Sequence, residues 1–278
     1  MTFKQLFYFL LALLCLPFAL YGCGEEVFDG LRVEVLDVGQ SDCTLITRGD
    51  AVCMIDTGTA TERNTVQNAL EDRGIDRIDC LLLTHPHEDH IGNARMLLET
   101  YAVGALILSP VESDDWGYQL VLDAAKQAGV PCQTAQVGDC FSVGEAVLEV
   151  LYVGNDPADP NNSSVIARVI YQETVFLFTG DAESVEEGAL LDAIPAERLD
   201  CDFLKAGHHG SENSTGARLL AAATPTHVAV SCGKNNSYGF PDVALLQRLS
   251  EADVLWHRTD EEGTLCYVSD GRTVRFVT

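Results

Sequence analysis

The chain has 278 residues, 47% of them hydrophobic and 21% charged, with Gly and Pro at ordinary levels. These proportions exclude a disordered chain, a collagen, a coiled coil and a multi-span membrane protein, and the length suffices for one or two cored domains. Lys and Arg total 17 against 42 Asp and Glu, a formal charge of −25 that repels polyanions at long range and excludes a protein that coats nucleic acid.

Lys4 is the only charged residue before Glu25, and the uncharged stretch 5–24 opens on an apolar run at 6–14. A basic residue followed by an apolar run is the order of an export leader. Leu20-Tyr21-Gly22-Cys23 resembles the lipobox of bacterial lipoproteins. On that resemblance residues 1–22 are a signal peptide, Cys23 is the lipid-bearing N-terminus and 23–30 is a lipid-anchored linker. An uncleaved anchor and ordinary secretory cleavage are the alternatives. All three place the remainder outside the cytoplasm. Of the eight cysteines beyond the leader, Cys53 and Cys80 lie in apolar runs and read as buried thiols, while Cys132 and Cys140 are the pair to test first for a bridge.

Residues 31–36, 43–47 and 51–55 are short β-branched runs bounded by Gly, Ser and Asp, a predicted meander. Residues 61–73 predict a helix with Val66 and Leu70 one turn apart and Gly74 ending it. Residues 78–83 then predict a strand buried on both faces. A helix near 91–100, a strand at 105–108 and a helix near 118–128 follow. The second half predicts strands at 146–152, 164–171 and 175–178, a helix near 185–191, a strand at 203–206, and short alternating elements to the end. Neither a linker nor a close repeat interrupts 31–278, which reads as one α/β domain of two sheets with helices on their outer faces.

Five of the seven histidines fall in two short windows, His85, His87 and His90 in Thr84-His85-Pro86-His87-Glu88-Asp89-His90, and His208 and His209 in Gly207-His208-His209-Gly210. Two apart after a buried strand, His85 and His87 can point the same way, while Asp89 and His90 begin the next helix and supply a second pair. Imidazole with carboxylate suits a borderline divalent cation, zinc above all, with manganese or iron as alternatives. There are ligands enough for two adjacent ions, which can clamp both attacking and leaving oxygens. His227 and His257, alone in strand-like runs, read as core or edge histidines.

The first window resembles the HxHxDH motif of metallo-β-lactamase-fold hydrolases. Other stretches resemble the soluble domain of ComEC-like competence proteins: Leu36-Asp37-Val38-Gly39-Gln40-Ser41-Asp42, Ile55-Asp56-Thr57-Gly58, Thr179-Gly180-Asp181, Lys205-Ala206-Gly207-His208-His209-Gly210-Ser211, and the segment from Cys232 to Pro241. The resemblance covers nearly all of 31–271 and implies a four-layer αβ/βα sandwich. It implies that His85 and His87 hold one ion, that Asp89, His90 and one of His208 and His209 hold the other, and that Asp181 bridges them. His209 is favoured as the ligand and His208 as a phosphate or leaving-group contact, although sequence alone does not order the two. Asp56 is expected to orient the metal loop through hydrogen bonds. Asn161-Asn162-Ser163-Ser164 stands where the wider fold often has another ligating His, which implies a weaker first site. Phe240 stands where the group commonly has His.

Only three lysines follow the leader, and Lys205 and Lys234 fall in these matched stretches. A lysine offers a compact charge for phosphate, and Lys234 is the better candidate for a substrate contact. The resulting expectation is an extracytoplasmic hydrolase with two zinc or manganese ions, in which a metal-bound hydroxide attacks a phosphodiester and Asp89, His208 and Lys234 serve catalysis. Its expected partners are a small phosphodiester or single-stranded nucleic acid and, through the lipid anchor, a membrane; no protein partner is expected. A hydrolase of another ester class, such as cell-wall phosphodiesters, and a non-enzymatic surface protein that kept the fold are the alternatives.

Overall fold

The β-branched runs near the start form β1 (Leu31–Val35), β2 (Thr44–Arg48) and β3 (Ala51–Ile55), an antiparallel meander as expected. The computed structural model describes residues 28–156 and 158–277, so the signal-peptide and lipid-anchor expectations, which rest on 1–27, lie outside the described residues. Next come a short β4 (Arg77–Ile78), β5 (Cys80–Leu83), a short β6 (Ala102–Val103), β7 (Leu106–Leu108) and β8 (Cys132–Thr134). The strand expected over 78–83 is divided at Asp79. Its carboxylate accepts from the Val52 amide at 3.0 Å and Arg77 Nε at 2.7 Å, and Ile78 pairs with β6 instead.

The second half contributes β9 (Cys140–Val143), β10 (Ala146–Val153), β11 (Val165–Tyr171), β12 (Thr174–Phe178), β13 (Phe203–Lys205), β14 (His227–Val230) and β15 (Leu255–Arg258). The last two strands, β16 (Leu265–Ser269) and β17 (Val274–Val277), return to the first sheet. That sheet runs β17-β16-β1-β2-β3-β5-β7-β8, and the other runs β15-β14-β13-β12-β11-β10-β9.

Inward side chains of both sheets share one core, in which Val33, Ile55 and Leu82 meet Val150, Phe176 and Phe203. Outward side chains of the first sheet, such as Leu81 and Leu83, pack under the helices Arg63–Glu71, Ala94–Thr100 and Trp116–Ala128. Those of the second sheet, such as Leu177 and Leu204, pack under Ser184–Ala193, Ala217–Ala223 and Val243–Glu251. The result is the expected four-layer αβ/βα sandwich.

Three features position the site. First, β3, β5, β7 and β8 run parallel, as do β12 to β15, so the loops after β3, β5, β12, β13 and β14 emerge from carboxyl ends, where α/β sheets place ligands. Second, the helix expected near 91–100 is divided, because Asn93 Nδ2 donates to the carbonyls of Thr57 (2.9 Å) and Thr59 (2.8 Å) and ties this turn to the loop after β3. Third, Gly180 adopts φ +54°, and a Cβ there would meet Ser164 Oγ at 2.8 Å and Thr84 Cβ at 3.0 Å, so only glycine fits between two site loops.

The bridge considered between Cys132 and Cys140 is not formed: both thiols are free and exposed, on β8 of one sheet and β9 of the other. Cys53 and Cys80 are buried thiols in register across β3 and β5, as expected. No described helix is long and apolar enough to cross a membrane.

The helix Ser184–Ala193 buries Glu186 against Gly154, and burial pushes its carboxyl up to about 9. A carboxyl raised on folding binds its proton more tightly in the native state, so stability falls as pH rises from the unfolded value toward 9. Glu186→Gln should therefore raise the melting temperature relative to wild type at pH 8 by about 2–4 °C or more, the shift of ~1 kcal/mol in a chain of this size, and by less at pH 5. A pH-independent difference in calorimetry would contradict a buried, protonated Glu186.

Candidate metal centre

The strand β5 ends at Leu83, and the next seven residues turn from extended backbone into the short helix Glu88–Ile91. His85 and His90 are buried, whereas His87 and Asp89 are half-buried. Asp181 follows the tight turn after β12, and His208 and His209 follow β13. Both of these histidines have positive φ, +45° and +52°, a strained conformation for non-glycine residues of the kind that collects at functional sites.

Asp181 Oδ2 is the point on which these segments converge. It lies 3.2 Å from His90 Nε2, 3.6 Å from His209 Nε2, 3.8 Å from His208 Nε2 and 3.9 Å from His85 Nε2. Asp89, His90, Asp181 and His209 bring their donor atoms within 4.8 Å of one another. His85 Nε2 and His87 Nδ1 touch at 3.0 Å beside this group, and Asp181 lies within reach of His85. Of the six residues expected to hold metal, Asp89, His90, Asp181 and His209 form one group, while His85 and His87 lie beside it, His85 at 3.9 Å from Asp181.

Each of four imidazoles is held from behind by its Nδ1. Asp56 Oδ2 lies 2.8 Å from Nδ1 of His90, Thr84 Oγ1 3.2 Å from that of His85 and Glu183 Oε1 3.0 Å from that of His208. His209 Nδ1 meets the Ser231 carbonyl at 3.2 Å and Asp42 Oδ1 at 3.3 Å. Such partners fix ring orientation, and in His90 and His209 they turn Nε2 toward Asp181. Asp56 also accepts from the Thr84 amide and hydroxyl, each at 2.8 Å, which makes it a positioning residue for the loop.

The charges fit a cation. Burial raises the cost of ionising Asp181, but His90 and His209 outweigh it and hold its carboxyl well below the usual range. Burial likewise opposes charge on His209, yet Asp181 and Asp42 push it up to about 9, and His90 is driven up by Asp181 and Asp56. Carboxylates this deep call for compensating positive charge, which a divalent ion would supply. Asp181 Oδ1 is also buried without a hydrogen-bond partner, which is costly unless something absent from the protein alone satisfies it. The donor set, two carboxylates with imidazoles, suits zinc or manganese.

Both lysines depart from expectation. Lys205 is buried, and its Nζ donates to Asp42 Oδ2, so it is a structural partner of Asp42 and is closed to substrate. Lys234 is exposed and does not line the cleft. Asn236 folds that loop on itself, donating to the carbonyls of Gly233 (2.9 Å) and Phe240 (2.6 Å) and accepting from the amides of Tyr238 and Phe240. The fold turns Tyr238 and Phe240, not Lys234, into the cleft. This cleft of about 330 Å³ is lined by Gln40, His87, Glu88, Asp89, Asn161, Asp181, His208, His209, Tyr238 and Phe240. Asp42 was missed as a support of His209; its place in the stretch that also carries Gln40 was the available signal.

The loop expected to replace a further histidine packs under the centre. Ser164 Oγ accepts from the Asp181 amide at 3.0 Å, Asn162 Oδ1 accepts from the amides of Glu183 and Glu186, and Asn161 reaches the cleft. His227 is buried in the core and His257 stacks on Phe276, both away from the cleft.

Residues 36–234 match the family model described as "Metallo-beta-lactamase superfamily". The chain is 31% identical over 266 residues to ComE operon protein 3 of Bacillus subtilis (strain 168), an alignment covering 88% of this chain and 34% of that protein. It is 25% identical over 234 residues to competence protein ComA of Neisseria gonorrhoeae, covering 84% of this chain and 31% of that protein. The chain thus spans about a third of the length of these two relatives. Among solved structures, the metallo-beta-lactamase fold protein YhfI from Bacillus subtilis superposes with a TM-score of 0.59 at 11% identity, covering 87% of this chain and 100% of that one.

Asp181→Ala should lose nearly all divalent metal by elemental analysis, whereas His85→Ala should keep the ion facing Asp89, His90 and His209. Full metal content in Asp181→Ala would contradict its shared position. Lys205→Met leaves Asp42 charged and alone in the interior and should cost about 3–5 kcal/mol of unfolding free energy, part of which the double variant Asp42→Leu/Lys205→Met should recover. An unchanged denaturation midpoint for Lys205→Met would remove the ion pair from the account.

Proposed function

The chain belongs to the metallo-beta-lactamase superfamily and has its metal-dependent hydrolase fold, and on that premise we propose that the bond it cleaves is a phosphodiester. One observation carries the choice: the cleft presents His208, held through Nδ1 by Glu183 at 3.0 Å, with its Nε2 3.8 Å from Asp181. An alkoxide leaving from phosphorus needs a proton, whereas a thiolate leaving from a thioester does not, and an imidazole fixed in this way is built to deliver one. The likeness to competence proteins supports the same choice over a β-lactam.

His85, His87 and Asp181 would hold one divalent ion, and Asp89, His90, Asp181 and His209 a second. When bound, such ions supply Lewis acidity and lower the pKa of water at the site. The protein's own share is positioning. Asp89 lies at the cleft with Oδ2 3.2 Å from His209 Nε2, and its exposed edge can accept a hydrogen bond from incoming water. His208 Nε2 gives its proton to the departing oxygen, and Glu183 stabilises the ring as that proton is replaced. The substrates are small phosphodiesters or single strands. The cleft lining contains neither Lys nor Arg and the chain carries −25, so a stiff duplex would bring unneutralised phosphates against an acidic surface.

We also place the enzyme at the outer face of a membrane through Cys23, on the order of Lys4, apolar run and Leu20-Tyr21-Gly22-Cys23. Mass spectrometry of the mature protein should find a diacylated Cys23 as its first residue. An intact Met1, or an unmodified start beyond Cys23, would refute the anchor.

The reaction is tested with the full chain stripped by chelator and reloaded with zinc or manganese, against bis-p-nitrophenyl phosphate, single-stranded and duplex DNA, a chromogenic β-lactam and a thioester. Phosphodiester turnover restored by metal, faster on single strands than on duplex, is expected. Efficient β-lactam or thioester turnover without phosphodiesterase activity would overturn the choice. His208→Ala should lower kcat about 10²–10⁴-fold with metal retained. Lys234→Ala should stay within about twofold of wild type, as for an ordinary surface substitution.

A further inference from the structure

Tyr238 is 70% exposed although it lines the metal cleft. Its ring stacks on Phe240 at 5.7 Å between centroids and 23° between planes, and Phe240 in turn meets the His208 ring edge-on at 5.5 Å and 74°. The loop carrying both aromatics is fixed by the four hydrogen bonds of Asn236 and by the Gly233 amide, which donates to Gln40 Oε1 at 2.9 Å. A rigid loop therefore holds an aromatic face open to solvent beside the imidazole assigned to leaving-group protonation.

A phosphodiester entering this cleft meets Glu88, Asp89 and Asp181 and neither Lys nor Arg among the lining residues. Apart from metal and the cleft histidines, the protein has no cationic side chain there with which to hold an anion, so affinity for the part of the substrate beyond the reacting phosphate has to come from uncharged contacts. An open aromatic face beside the reacting centre, in a cleft without lysine or arginine, matches a flat ring that can stack on it.

We propose that Tyr238, backed by Phe240, is a stacking platform for the nucleobase next to the scissile phosphodiester, so that the enzyme selects nucleotide esters over simple alkyl ones. This assignment rests on the phosphodiester reading above and adds the substrate class to it. Stacking is sequence-tolerant because every base has a π-face, so the platform recognises an unpaired base rather than a sequence. It also selects single strands, since a paired base offers no free face.

The test compares metal-loaded wild type, Tyr238→Phe and Tyr238→Ala on a single-stranded oligonucleotide and on the same backbone with abasic residues around one linkage. Wild type and Tyr238→Phe should cut the base-bearing linkage with a kcat/KM about 5- to 150-fold above the abasic one, the range of one base–aromatic stack. Tyr238→Ala should lose that preference through KM, with metal content and melting temperature unchanged. Equal cleavage of both linkages by wild type would overturn the platform and leave the phosphodiesterase reading intact. If neither is cut, that reading fails, and equilibrium dialysis of a labelled thymidine oligonucleotide decides the platform: weaker binding to Tyr238→Ala supports it and unchanged binding overturns it. Preference for a pyranosyl phosphodiester over the thymidine one would also overturn it, by moving the aromatic face to sugars.

Discussion

The ion pair between Lys205 and Asp42 holds the molecule's two halves in the relation the site requires. Asp42 lies between β1 and β2 in the first sheet and Lys205 ends β13 in the second, with side chains only 5% and 3% exposed. Burial alone would push the Asp42 carboxyl toward protonation, but Lys205 and then His209 hold it well below its usual range. A charge this deep persists only with a partner, so the pair can form only when both sheets are docked. The other oxygen of Asp42 then faces His209 Nδ1 at 3.3 Å. The contact that joins the sheets thus also aims the imidazole of a candidate metal ligand. Ser231 reinforces the junction, its hydroxyl donating to the Ser41 carbonyl at 2.7 Å while its own carbonyl meets His209.

From that junction the chemistry of the cleft follows. Donors from the first sheet, His85, His87, Asp89 and His90, are brought to Asp181, His208 and His209 from the second. Of the two lysines in the matched stretches, Lys205 is taken by Asp42 and Lys234 faces solvent outside the cleft lining. What remains is a metal-facing floor, an acidic wall and an aromatic edge. That combination separates this cleft from one that grips phosphate with lysine or arginine.

The legible parts of the sequence were local. The His85, His87, Asp89, His90 spacing sits on one strand end, so its convergence follows from backbone geometry over a few residues, and the β-branched runs of β1 to β3 carry their own period. What was not legible depended on distance along the chain. A lysine in a matched loop reads alike whether it faces solvent or a carboxylate 163 positions away, and this hid the role of Lys205. Lys234 looked like a phosphate contact because nothing in its neighbours reveals that Asn236 turns the loop to show Tyr238 and Phe240 instead. The edge strand β8 is Cys132-Gln133-Thr134, exposed throughout, and has no apolar alternation to announce it.

The central claim is that the junction of the two sheets is a metal site organised around Asp181. Anomalous diffraction from crystals loaded with zinc, with data recorded on both sides of the zinc absorption edge, tests it most directly. The account predicts two edge-dependent peaks sharing Asp181, one between His85 and His87 and one between Asp89, His90 and His209. Zinc bound only at sites that do not touch Asp181 would contradict it.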